Sequence, residues 1–291
     1  MPVLPDFSGH AVQSFGNVTN GSVTVPITVN ADRQYQVAVV AVYLMANVDT
    51  SSAAWHLTSS SDPMSLLTAA PLNSAPVLWD GKKNQLNTYV LSNLSPGDQT
   101  IRVQLTGLTA NASGFWLMVS VDLYTGVGGV GSVTTVSGDT AGSTVNNAVA
   151  LPDGLKASER VVTVHACSSP TTFSDYSKTV RDTSAGTYSY WYQWYQVNIN
   201  ALNIHLFPEW AQATANGGEL LVGDARGAGV QNGGRATQGA TAKWGAIGFV
   251  LVPMIVSAEA QLTVSSVAPA ASTQLARKQP PAPRRTWILG S

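Results

Sequence analysis

The chain is expected to be all-β: two tandem antiparallel β-sandwich (jelly-roll-like) domains followed by an extended C-terminal arm. Three observations predict this. Short β-branched runs recur with Pro, Gly, Asn and Asp between them, while amphipathic helical periodicity is nearly absent. Only 11% of the residues are Asp, Glu, Lys or Arg, against roughly 25% in an ordinary soluble domain. Their places are taken by Val, Thr, Ser, Ala, Gly and Asn, which suit sheets with hydroxyl- and amide-rich outer faces. Finally, the same succession of elements occurs twice along the 291 residues, enough chain for two ordinary domains.

The first half opens with residues 22–29, which alternate so that Val23, Val25, Ile27 and Val29 share one face. Residues 36–44 are almost wholly apolar and read as a strand buried on both sides. Residues 54–58 place Trp55 and Leu57 on one face. Strands over 88–91, 99–105 and 115–123 follow, separated by Ser95-Pro96-Gly97-Asp98 and Asn111-Ala112-Ser113-Gly114. In the first of these turns Pro presets φ and Gly accepts a positive φ. Residues 124–138 are rich in Gly, Ser and Thr and poor in side chains able to anchor a core, so they read as the junction between halves. The first domain is therefore assigned to residues 1–138.

The second domain, residues 139–267, repeats the plan. Residues 160–167 form the buried counterpart of 36–44, and 187–199 are a long aromatic stretch. Residues 219–223 lead into a Gly-rich loop, 242–254 close the sheet, and 260–267 offer a further strand. The arm, residues 268–291, mixes prolines with Arg277, Lys278, Arg284 and Arg285 and ends near Trp287, Ile288 and Leu289. Such a segment is extended. Two readings stay open for it: an arm docking on a neighbouring subunit, or a frayed terminus.

The formal net charge of −1 supplies no field to steer nucleic acid or an anionic membrane. The longest apolar run, residues 37–46, is half the roughly 20 residues a spanning helix needs. The N-terminal MPVLPDFSGHAV has neither a basic region nor a continuous apolar core, so synthesis in a cytoplasm without a signal peptide is expected. The single cysteine, Cys167, lies in an apolar run and reads as a small buried thiol.

Neither a metal nor another cofactor is expected. His10, His56, His165 and His205 stand in no metal-ligand spacing, and no CxxC or GxSxG occurs. Asp175, Asp182, Glu209 and Asp224 are scattered, with nothing to join two of them as a glycosidase pair. The run from Gly223 to Gly229 has the look of a phosphate loop but lacks its Lys-Ser/Thr pair and a following helix. Its Asp224 and Arg226 fall on the same side of an extended chain and invite a local ion pair.

The most distinctive local feature is Tyr188-Ser189-Tyr190-Trp191-Tyr192-Gln193-Trp194-Tyr195. On a strand, Tyr188, Tyr190, Tyr192 and Trp194 share one face, and Trp191 and Tyr195 the other. An exposed row of such rings suits a subunit interface or a glycan-stacking platform. The alternative is a strand buried on both sides in the sandwich core.

Several segments carry a resemblance to minor tail proteins of phages infecting mycobacteria and other actinobacteria. In the first half these are residues 37–43, Trp55-His56-Leu57-Thr58, Met64-Ser65-Leu66, Trp79, Tyr89-Val90-Leu91, Pro96-Gly97-Asp98-Gln99-Thr100-Ile101 and Leu123-Tyr124-Thr125-Gly126-Val127. In the second they are 161–166, 176–181, Leu220-Leu221-Val222-Gly223-Asp224-Ala225 and Trp244-Gly245-Ala246-Ile247. Together they cover most of residues 10–255. The resemblance implies a non-enzymatic, multimeric component of the virion tail tip. Its partners would be copies of itself, other virion tail proteins and a host cell-envelope glycan. It carries over no catalytic residue. The C-terminal arm lies outside the shared pattern, which keeps a capsid-surface decoration protein in view, and the aromatic stretch does the same for a receptor-binding adhesin.

Overall fold

A computed structural model describes residues 1–60, 62–67, 72–73, 75–110, 114–138, 146–149, 154–168, 173–175, 194–198, 218–226, 234–238 and 243–255. Among these residues the fold is all-β, as expected, with antiparallel pairing throughout. The strands from the first half are β1 (Leu4–Phe15), β2 (Gly21–Val29), β3 (Val37–Ala46), β4 (Ala54–Ser59), β5 (Asp62–Leu67), β6 (Val77–Trp79), β7 (Asn84–Ser92), β8 (Gly97–Thr106) and β9 (Phe115–Thr125). The remainder are β10 (Val127–Gly138), β11 (Asn146–Val149), β12 (Arg160–Ser168), β13 (Phe173–Asp175), β14 (Trp194–Asn198), β15 (Gly218–Arg226), β16 (Gly234–Gln238) and β17 (Lys243–Pro253).

They form four sheets, ordered β1-β9-β3-β7-β6, β2-β8-β4-β5, β10-β17-β12-β15-β14 and β11-β16-β13. The first sheet is covered on both faces. On one, Ala38, Val40, Val42, Leu117, Val119 and Val121 pack against Val23, Val25, Ile27, Ile101 and Val103 of the second sheet. On the other, Val39, Ala41, Tyr43 and Met118 pack against Val162, Val164, Ala166, Leu220 and Ile247 of the third. This explains the burial patterns. β3 and β9 are buried at every position, whereas β2, with one face in water, alternates. β12 repeats the case of β3, because its odd residues Val161, Thr163, His165 and Cys167 are buried on the face turned away from the first sheet.

Two local details fix the layers. Gly97 adopts φ +104 where the Pro-Gly-Asp turn requires a left-handed residue. Gly245 has no such conformational need; a Cβ there would stand 2.6 Å from the ring of Trp79 on β6. The strand gives up its side chain so that an indole from the first half can sit on its backbone.

The Gly/Ser/Thr-rich stretch expected to act as a junction is a strand over Val127–Gly138, paired along its length with β17. Val130 and Val133 anchor it partly in the core shared with the first sheet. Spaced three apart, these valines show no two-residue period, because irregularities between Val127 and Gly129 and between Val130 and Val133 reset the register. Residues Met1–Ile255 form one compact unit. The proposed strand at 260–267 and the arm at 268–291 lie outside the described residues.

Candidate functional site

Among the described residues, most of the buried charged groups gather where the first and third sheets meet. On β9 the residues facing the third sheet are Trp116, Met118, Ser120, Asp122 and Tyr124, so an apolar strand face turns polar toward one end. Arg160 on β12 and Asp224 on β15 arrive from the opposite sheet, each on the face that carries Val162 or Val222. The Arg160 guanidinium donates to Asp224 Oδ1, and the Tyr124 hydroxyl donates to Asp224 Oδ2 at 2.9 Å. Ser120 donates to Asp122 Oδ2 at 2.9 Å. All five residues are at most 2% exposed.

Burial pushes the Asp224 carboxyl above its usual range; Arg160 and the Tyr124 hydroxyl pull it back in part. Burial, and after it the charges of Asp224 and Asp122, hold the Tyr124 hydroxyl well above its ordinary value, so it remains a donor. A carboxylate, a guanidinium and a phenol in this arrangement have the pieces of a proton-transfer site. Enclosed between sheets, they act as a cross-brace.

A second polar contact joins the same two sheets further along. The Tyr43 hydroxyl donates to Asn84 Oδ1 at 2.9 Å, with the Cys167 carbonyl at 3.2 Å competing for the same proton. Trp79 Nε1 donates to the Ser168 hydroxyl at 3.1 Å while its ring stacks on Tyr43 with centroids 5.4 Å apart. The Lys243 ammonium pairs with Asp80 at the rim.

His165 is fully buried on the far face of β12, and burial lowers its pKa to about 3, so the ring is neutral. Cys167 is a buried thiol, as the sequence suggested. His10 and His56 are exposed. Among the described residues no group of three or more His, Cys, Asp or Glu stands close enough to hold a metal ion.

A separate open groove of about 370 Å³ lies where the start of β3, the end of β7 and the start of β10 converge. Its polar lining comes from Tyr35, Gln36, Ser92 and Asn93, with Val130 and Met254 as apolar walls. Tyr35 and Asn93 both hold left-handed backbone, at φ 55 and 61, and Tyr35 is 43% exposed. No Asp, Glu, Lys, Arg or His lines the groove, so it suits an uncharged ligand.

Of the aromatic stretch, Trp194 and Tyr195 lie on β14, paired with Gly223 and Val222. Their side chains, and Tyr188, Tyr190, Trp191 and Tyr192 altogether, lie outside the described residues. So do Arg277, Lys278, Arg284, Arg285, Trp287, Ile288 and Leu289, as well as His205, Asp182 and Glu209. Asp224 takes Arg160, 64 positions away in sequence, while the side chain of Arg226, its expected local partner, lies outside the described residues. Arg160 comes within reach because β12 and β15 are adjacent strands. The brace around Asp224 escaped sequence reasoning; its only trace is a charged residue at the edge of each of two apolar runs, at Arg160 and Asp224. No family model, curated protein or solved structure matches the chain.

Proposed function

We propose that the chain is a non-enzymatic structural subunit of a virion, a minor tail component that assembles with copies of itself and with other tail proteins and contacts the host envelope at the tail tip. One observation carries the reading. The outer face of the second sheet is dominated by hydroxyl and amide groups, Ser22, Thr24 and Thr28 on β2 and Thr100, Gln104 and Thr106 on β8, with Asp98, Arg102 and His56 as the ionisable side chains among them. Such a face meets protein with few charges to desolvate. The ionisable groups Arg160, Asp122, Asp224 and His165 are meanwhile committed to the interior, where they support packing. The tail assignment itself rests on the resemblance of the sequence segments above.

Electron microscopy of particles from cells that express the chain, with antibody or density-based identification, tests the reading. Repeated copies at the tail tip are the expected result. Copies on the capsid surface would replace the tail assignment with a decoration role, and a chain never found in particles would end the reading. The neutral groove with its exposed Tyr35 favours a second reading, a carbohydrate-binding adhesin, since ring faces and amides together recognise sugars. Binding of host envelope polysaccharide that is lost on Tyr35→Ala would support it; absence of any binding would remove it.

A further inference from the structure

Every sheet has two edges, and an edge presents unpaired N–H and C=O groups that natural proteins protect with Pro, charge, bulges or brevity. Among the described residues, β2, β5 and β6 are protected, and β1 is protected at its start. β1 carries Pro5 and Asp6 with an irregularity between Pro5 and Phe7, and β6 has three residues. β2 is interrupted by Pro26, and β5 contains Asp62 and Pro63. β10 has no such residue anywhere along it: twelve residues with neither Pro nor a charged side chain. Its irregularities lie before Val133, and from there to Gly138 the pairing with β17 is regular. Ser132, Thr135 and Ser137 are exposed.

We propose that residues 133–138 of β10 pair antiparallel with the same segment of a second copy of the chain, extending the third sheet across a two-fold axis normal to it. The sequence there, Val-Thr-Thr-Val-Ser-Gly, has high strand propensity on both faces. Its neutrality identifies the occupant. A charged edge meeting itself would set like charges opposite each other, whereas this one meets its copy without repulsion. The axis keeps odd residues opposite odd, so Thr135 and Ser137 of one copy fall opposite or diagonal to the same pair of the other. This inference rests on the reading that the chain assembles with itself, and it names the surface that does so.

Sedimentation of the full chain over a range of concentrations tests it, comparing wild type with a Thr135→Lys/Ser137→Lys variant and a Thr135→Glu/Ser137→Glu variant. Wild type is expected to dimerise, each variant alone to dimerise about tenfold more weakly, and an equimolar mixture of the two variants to recover. Recovery on mixing excludes misfolding as the cause of the loss. Variants that dimerise as wild type would overturn the edge pairing while leaving self-assembly intact through another face. A mixture that fails to recover, or a wild type monomeric at every concentration, would also overturn it; particle association, measured separately, decides the broader reading.

Discussion

The two interfaces of the first sheet are built differently. Against the second sheet, the contact is apolar along its length, with Ala38, Val40, Leu117, Val119 and Leu123 on one side and Val25, Ile101 and Val103 on the other. Its polar exceptions are the Trp55 Nε1–H donation across the interface to Gln85 Oε1 at 3.1 Å and, within the second sheet at one end, the Ser59 hydroxyl bonded to Gln99. Against the third sheet, a comparable apolar contact is interrupted by Tyr43, Trp79, Asp122, Tyr124, Arg160 and Asp224. The first interface joins strands close together in sequence, whose turns already limit their placement. The second joins strands as far apart as β9 and β15, where greasy surfaces alone would permit sliding. Hydrogen bonds between the sheets define one alignment, a specificity role that buried polar groups serve in some proteins.

The largest test of this contrast is Asp224→Ala, which removes the carboxylate partner of the buried Arg160 guanidinium and should cost about 3–5 kcal/mol in urea unfolding. Replacing both partners, as Arg160→Met with Asp224→Leu, should recover most of that loss. If the brace sets alignment, the double variant should broaden the amide spectrum of β12 and β15 although its stability returns. Leu123→Ala in the apolar interface should cost a similar amount, about 3 kcal/mol, with no partner substitution able to restore it. A smaller effect is expected for Tyr124→Phe, which keeps the ring and removes one bond to a carboxylate, about 2 kcal/mol.

The smallest effect is a pH dependence. His165 has a folded pKa of about 3, below the 6.5 of an unfolded histidine. Above pH 6.5 both states are neutral and nothing is lost; as pH falls below it the unfolded chain alone takes up the proton. Stability should therefore decline by about 1 kcal/mol between pH 6.5 and 5.5. Asp224, with a raised pKa, acts in the opposite sense, because its folded form binds a proton more readily. A His165→Gln variant should flatten the acid slope, and an unchanged slope would show that His165 is not its source.

How much of this was legible in the sequence follows from the physics of each element. β2 and β3 were plain, because burial on one face writes a two-residue alternation and burial on both writes a continuous apolar run. β1 was not recognised as a strand: Leu4–Phe15 includes Pro, Asp, Ser and His, and its place depends on pairing with β9. β10 was misread because glycine obscures any period. Of the interior brace, the three members stand at 124, 160 and 224, and no local pattern connects residues so far apart. The aromatic stretch was the most conspicuous sequence feature, yet only the backbone of its last two residues is described.

Cys167 is the one cysteine of the chain and has no solvent exposure. An intact molecule therefore shields its sulfur from any reagent in solution, and each modification event records an excursion in which β12 loosens. Alkylation under native conditions becomes a clock for that motion, read by mass spectrometry without labelling the protein in advance. By the same token, a fluorophore carried on a cysteine engineered at the surface would attach there alone, leaving the native thiol in place.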